Sequence, residues 1–268
     1  FNRIRERVFE VFGERVGEDA PPPEAEAAPE FTEATTAEDV RSFLAAEAGN
    51  LLGVHVDVEG PALLPRRKVP VPGTFGTPVG VALVGEHAGL HVTLDGDAPD
   101  PALVAAVREA LGEGGLAKAV HDLKRTLKAL AAPTEGDGLG PDAALDGVVD
   151  DVLLSAYLIQ PDRRDTSLEA LAEAHLHTPL TAPREPAQQR AQGTFDLDGG
   201  QAAAERADRA ADAVRAAWVV RRLSTQFTPQ VLDRGAQRLL QELEIPLSRL
   251  LARMELTGIA VDVDALTG

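Results

Sequence analysis

The chain has 268 residues, a formal net charge of −17 and no cysteine. That length holds one large domain or one domain with attachments, the missing cysteines exclude a disulfide scaffold and a thiolate metal site, and the overall field is of the wrong sign to attract nucleic acid. No apolar run approaches the roughly 20 residues of a membrane-spanning helix, and no signal peptide opens the chain, so a cytoplasmic protein without membrane contact is the expectation.

Residues 1–13, FNRIRERVFEVFG, place Ile4, Val8, Val11 and Phe12 on one stripe of a short helix that Gly13 can stop. A Pro-, Glu- and Ala-rich stretch follows. Residues 14–40 carry nine acids against Arg15 alone, and the stretch reads as a solvated linker. Globular signals begin at TAEDVRSFLAAEA (36–48), with Thr36 as the candidate N-cap. LGVHVDV (52–58) is a strand. TPVGVALV (77–84) and GLHVTLD (89–95) form a hairpin around GEHA. A helix is expected over 100–112, then a short strand within 114–122 running into a helix over 123–132. A Gly-rich loop (136–147) precedes helices over 151–161 and 166–176. Beyond a polar loop, helices are expected over 201–224, 229–244 and 245–258, the last with Pro246 in its first turn, before a closing strand in IAVDVDAL (259–266). The order defines an α/β protein with a helical second half.

Two stretches carry a family resemblance. DDVLLSAYLIQPDRRDTSLEALAEAHL (150–176) is similar to a segment of the 3′–5′ exonuclease domain of bacterial DNA polymerase I (family A), with Asp151, Leu154, Tyr157, Leu158, Leu168, Leu171 and Ala172 on the pattern and Val152 in place of the usual Thr. LEIPLSRLLARMELTGIAVDVDAL (243–266) resembles the helix and strand that open the polymerase domain of the same family, through Glu244, Pro246, Leu247, Leu251, Met254, Glu255, Gly258, Ile259 and Asp262. The resemblance implies a ribonuclease-H-like (3′–5′ exonuclease) mixed sheet of about five strands flanked by helices, with a helical C-terminal part. It implies residues 1–13 as the tail of an upstream 5′-nuclease domain, 14–35 as a linker, 36–227 as the exonuclease-like domain and 228–268 as the start of the polymerase domain. The polymerase active site is absent from these residues.

Active members of that family hydrolyse a 3′ end with two divalent metals. The family pattern holds them with Asp-x-Glu on the first strand, an Asp after a Leu-Lys turn, and an Asp four residues after a Tyr in the last helix. Asp57 and Glu59 match the first position, and strand periodicity puts both on one face with His55. At the second position HDLKRT (121–126) offers Thr126, a poor ligand for a hard cation, with Asp122 one turn away. At the third, the chain's single Tyr, Tyr157, lies elsewhere, and Asp208 and Asp212 are the nearest approximations. The set is degenerate, so no catalytic residue, no metal and no cofactor are expected in this segment, with Mg²⁺ serving the parent polymerase. The expected role is a structural brace for the polymerase domain of a replication and repair enzyme. DNA would be engaged through the parent, weakly or not at all by this segment, in a monomer. Two alternatives stand: a working proofreading exonuclease with metals on Asp57 and Glu59, and a module that binds a protein partner.

Overall fold

The computed structural model describes residues 28–60, 76–94, 100–131, 139, 144–180 and 199–258. The expected helix over 1–13 and the closing strand over 259–266 lie outside the described residues. Six strands form one sheet: β1 (Phe31–Glu33), β2 (Leu52–Glu59), β3 (Thr77–Val84), β4 (Gly89–Thr93), β5 (Lys118–Val120) and β6 (Val148–Asp151), in the order β1-β4-β3-β2-β5-β6. The central β4-β3-β2 meander is antiparallel, whereas β5 and β6 add in parallel on one side and β1 adds parallel to β4 on the other.

The helices are α1 (Ala37–Ala46), α2 (Pro101–Gly112), α3 (Leu123–Leu130), α4 (Val152–Ile159), α5 (Leu168–Leu176), α6 (Gly199–Asp233), a single turn α7 (Gln237–Leu239) and α8 (Ile245–Thr257). Their starts follow local chemistry. Thr36 closes a capping box with Asp39 over α1, Asp100 caps α2 ahead of Pro101, and Ser167 caps α5. Helix α6 crosses the face of the sheet that Gly53 presents. A methyl group on Gly53 would sit 2.0 Å from the Ala217 carbonyl oxygen, so this approach of helix to strand admits glycine alone. Val214, Ala217, Val220, Leu223 and Phe227 of α6 are buried there.

The sheet has six strands among the described residues, against an expected mixed sheet of about five. Two other expectations differ from what is observed. The acidic stretch 14–35 is not linker throughout, because Phe31–Glu33 pairs with β4; all three residues are exposed, so this edge strand shows no alternation in the sequence. The helices expected over 201–224 and 229–244 are not separate units. Helix α6 runs through Pro229 and across the expected 227/228 domain boundary, and it ends only at Gly235 (φ +66°). There Ala236 N–H donates to Val231 O and Gly235 N–H to Leu232 O, the paired bonds of a Schellman stop that needs a left-handed residue. A π-helical turn, Leu240–Glu244, then feeds α8.

Helix α8 lies on α3. Glu255 accepts from Lys124 Nζ at 2.8 Å and pairs with Lys128, while Arg249 Nη1 is 3.3 Å from Asp146 Oδ1. Ile245 and Ala252 are buried, but Leu247, Leu250, Leu251 and Met254 of α8 are exposed, as are Leu239 of α7 and Leu243 of the π-turn before it. Under the sheet edge, Lys118 is fully buried. Its ammonium donates to the carbonyls of Glu113 (2.6 Å), Leu116 (3.3 Å) and Asp146 (2.9 Å), stitching two loops to β5. Burial lowers its pKa to about 8, against the upward pull of Glu113 and Asp146.

Candidate functional site

A cleft of about 380 Å³ opens between β2, the start of α3 and the start of α5. His55 and Asp57 of β2 line it, with His121, Asp122, Arg125 and Thr126 from the β5–α3 junction and Thr166, Ser167 and Glu169 at the start of α5. Strand β2 supplies the wall because it is central: its hydrophobic residues Leu52, Val54 and Val56 are buried, while His55 and Asp57 remain partly open.

The α3 junction is held by an unusual backbone. Asp122 has φ +59°, a left-handed conformation rare for a residue with a side chain. Its surroundings over-determine it. The Asp122 and Leu123 amides donate to the two oxygens of buried Asp151 at 3.0 and 2.8 Å, and the Asp122 carboxylate accepts from Arg125 N at 3.0 Å. Asp151 also accepts from Leu153 N at 3.1 Å, so one carboxylate caps α3 and α4 together.

Burial disfavours the charged form of both histidines of the cleft. It pushes His55 down to about 4, and the neighbouring His121 ring and Arg125 guanidinium disfavour a proton there as well. Burial likewise lowers His121, against a bond in which its Nε2–H donates to Thr166 O at 2.8 Å. The cleft therefore offers two neutral imidazoles, the Arg125 cation and the amino ends of two helices.

Of the five residues singled out in the sequence, Asp57 and Thr126 reach the cleft. Glu59 lies at the exposed end of β2, and Asp208 and Asp212 sit on α6; none of these three lines it. The Thr126 hydroxyl already donates to the Asp122 carbonyl at 3.0 Å. A pair of hard divalent ions needs six or more oxygen ligands each, several of them carboxylates. Among the described residues no three His, Asp or Glu side chains converge as a cation site. The donors at this cleft do not fit a two-ion centre. Arg125, Thr166, Ser167 and Glu169 also line the cleft. Local sequence pattern does not single them out, because the approach of the start of α5 to β2 is a tertiary fact.

Mixed sheet and flanking helices define a ribonuclease-H-like fold, with the cleft over its central strand. A likeness to Escherichia coli RNase D, TM-score 0.52 at 13% identity over 86% of this chain and 52% of that one, carries the fold alone. In sequence the chain is similar to bacterial DNA polymerase I. It is 29% identical to DNA polymerase I of Mycobacterium tuberculosis over 242 residues, covering 84% of this chain and 25% of that protein. It also resembles the POL domain of Pol1 from M. smegmatis, solved in complex with DNA primer-template and dNTP, with TM-score 0.65 and 24% identity over 88% of this chain and 33% of that one. No protein-family model matches. The chain spans about a quarter of the length of the curated relatives it matches. Among the described residues no helix is long and apolar enough to cross a membrane.

Proposed function

We propose that this chain is the exonuclease-like part of a DNA polymerase I acting in replication and repair, that its cleft is catalytically inert, and that it braces the polymerase domain. DNA is engaged chiefly through that polymerase. The domain break falls at Gly235, where α6 stops, rather than at 227/228.

The observation that carries the reading is the two-sided character of α8. One side is clamped by Glu255 to α3, the helix whose Thr126 stands at a family ligand position. The other side bares four large apolar side chains, Leu247, Leu250, Leu251 and Met254, 37% to 58% exposed. Covering four half-exposed side chains of this kind is worth about 4 kcal/mol, enough to fix one domain against another. A worn catalytic cleft is compatible with that job, because a brace needs rigidity and no ions.

The test has two arms. Leu247→Glu with Leu250→Glu, made in the whole polymerase, should lower the melting temperature of the polymerase part while this chain alone melts as before. Primer with a mismatched 3′ end, incubated with this chain and Mg²⁺ or Mn²⁺, should release no nucleotide. Release that disappears in Asp57→Ala would establish the proofreading alternative instead.

A further inference from the structure

Asp150 and Asp151 are consecutive carboxylates, 3% and 2% exposed, and they are held differently. Asp151 is satisfied by three main-chain N–H groups. Asp150 is held mainly by hydroxyls: Ser155 Oγ donates to its Oδ1, the Ser224 hydroxyl of α6 lies within reach of the carboxyl, and the Asp151 amide adds a weaker contribution. Its Oδ2 is out of contact with solvent and has no hydrogen-bond partner.

Asp150 lines a pocket of about 100 Å³ where β6 and α4 meet the C-terminal half of α6, the turn α7 and the π-helical turn. The elements packed there present Ser155 from α4, Ser224 and Thr228 from α6, Gln237 from α7 and Gln241 from the π-turn. No Lys, Arg or His lines it, and Asp150 is its one titratable residue. The neighbouring charge is that of Asp151, of like sign.

An ionised carboxylate in that position is a buried charge with no cation beside it, offset only in part by its hydroxyl and amide donors. A metal ion bound at Oδ2 would need open volume beside that oxygen, and the protein closes it off. A proton needs none. We infer that Asp150 is a proton-operated latch: protonated, it completes its hydrogen bonding against Ser224 and ties β6 to α6 just before the π-turn; ionised, it loosens that junction. The latch stands on this pocket alone and does not depend on the polymerase reading.

Burial is the main force raising the Asp150 carboxyl, and the charge of Asp151 adds to it. The hydroxyls of Ser155 and Ser224 offset part, leaving it at about 6 against an ordinary 3.8. The folded state therefore keeps a proton that the unfolded chain has released. Stability is fully present below pH 3.8, falls as pH rises to about 6, and stays at the lower level above that. A rise of that size corresponds to roughly a hundredfold in the folded-to-unfolded ratio.

The experiment is unfolding of this chain between pH 4.5 and 8, wild type against Asp150→Asn, which keeps the shape without the charge. Wild type should lose stability across the interval. The variant should show about half that slope, since Asp151 is also raised to about 6, and at pH 7.5 its folding equilibrium should exceed that of wild type by up to about a hundredfold. Hydrogen exchange at pH 7.5 should be slower over 224–245 in the variant. As a second measurement, Asp151→Asn leaves Asp150 as the remaining acid of the pair, and its infrared carboxylic-acid band should persist above pH 5. A variant less stable than wild type at pH 7.5, an unchanged slope, or a band already lost at pH 4.5 overturns the latch.

Discussion

Glu47 offers a test of how the hairpin beside the cleft is held. This residue ends α1 and is 1% exposed, yet its carboxylate reaches across to the turn between β3 and β4. Oε2 accepts from Asn50 Nδ2 and Glu86 N at 2.8 Å each, and Oε1 from His87 N at 2.9 Å and Ala88 N at 3.0 Å. Burial pushes the carboxyl up, but the bonds from Asn50, His87 and Ala88 outweigh it and hold the group below 4.5. Glu47→Gln replaces one oxygen by an NH₂, which points donors at donors for two of the four bonds. Bonds to a charged acceptor are worth about 1.5–3 kcal/mol each. The turn is partly open, so water refills some of the loss and about 2–3 kcal/mol remains, a drop of roughly 5–10 °C in melting temperature. Glu47→Ala removes all four and should cost more. Glu86→Ala breaks only the ion pair to Arg221 at a surface position and should cost under about 1 kcal/mol. Because the folded carboxyl is the stronger acid, its contribution is present above pH 4.5 and lost as pH falls through the folded value, so wild type and Gln variant should converge in acid. The assay is thermal unfolding followed by circular dichroism at pH 7 and in acid. A Gln variant melting within about 2 °C of wild type at pH 7 would refute the role of the Glu47 carboxylate in holding the β3–β4 turn.

Lys118→Met keeps the stem and strands three carbonyls, so a loss of about 3 kcal/mol is expected in urea unfolding. Gly53→Ala drives a methyl into the Ala217 carbonyl; a loss of about 3 kcal/mol or failure to fold is expected, and a soluble protein of unchanged stability would contradict the close approach of α6 to β2. Glu255→Gln releases α8 from Lys124 and Lys128, both partly exposed to solvent. The expected cost is about 0.5–1 kcal/mol at low salt, fading at high salt, with faster hydrogen exchange over 245–257 as the readout.

The parts of the fold that alternate or repeat were legible in the sequence. Strand β2 with its run of valines, the β3–β4 hairpin and the capped helices α1, α2 and α5 all fall where local pattern placed them. What escaped has a physical reason in each case. Strand β1 is three exposed residues recruited by β4, and β6 has only Val148 and Val149 to announce it. The break between α6 and α7 was misplaced because Pro229 is a stronger punctuation mark on paper than Gly235, although the chain absorbs the first and turns at the second. At the cleft, Asp57 and Thr126 could be picked out one by one. The neutral state of His55 could not, since it arises from burial and from His121 and Arg125, sixty-six and seventy residues further along the chain.

The uninterrupted length of α6 has a mechanical consequence. Thirty-five residues at 1.5 Å each make a rod of about 52 Å. It bears on the central strand at its middle, where Ala217 meets Gly53, and stops at Gly235. Such a rod transmits tilt instead of absorbing it: pivoting by about 5° at Ala217 moves the Gly235 end, about 25 Å away, by about 2 Å. Bending between the sheet and whatever α8 supports is thereby confined to the few residues from Gly235 through the π-turn, and a change in the set of β2 would register there as a swing.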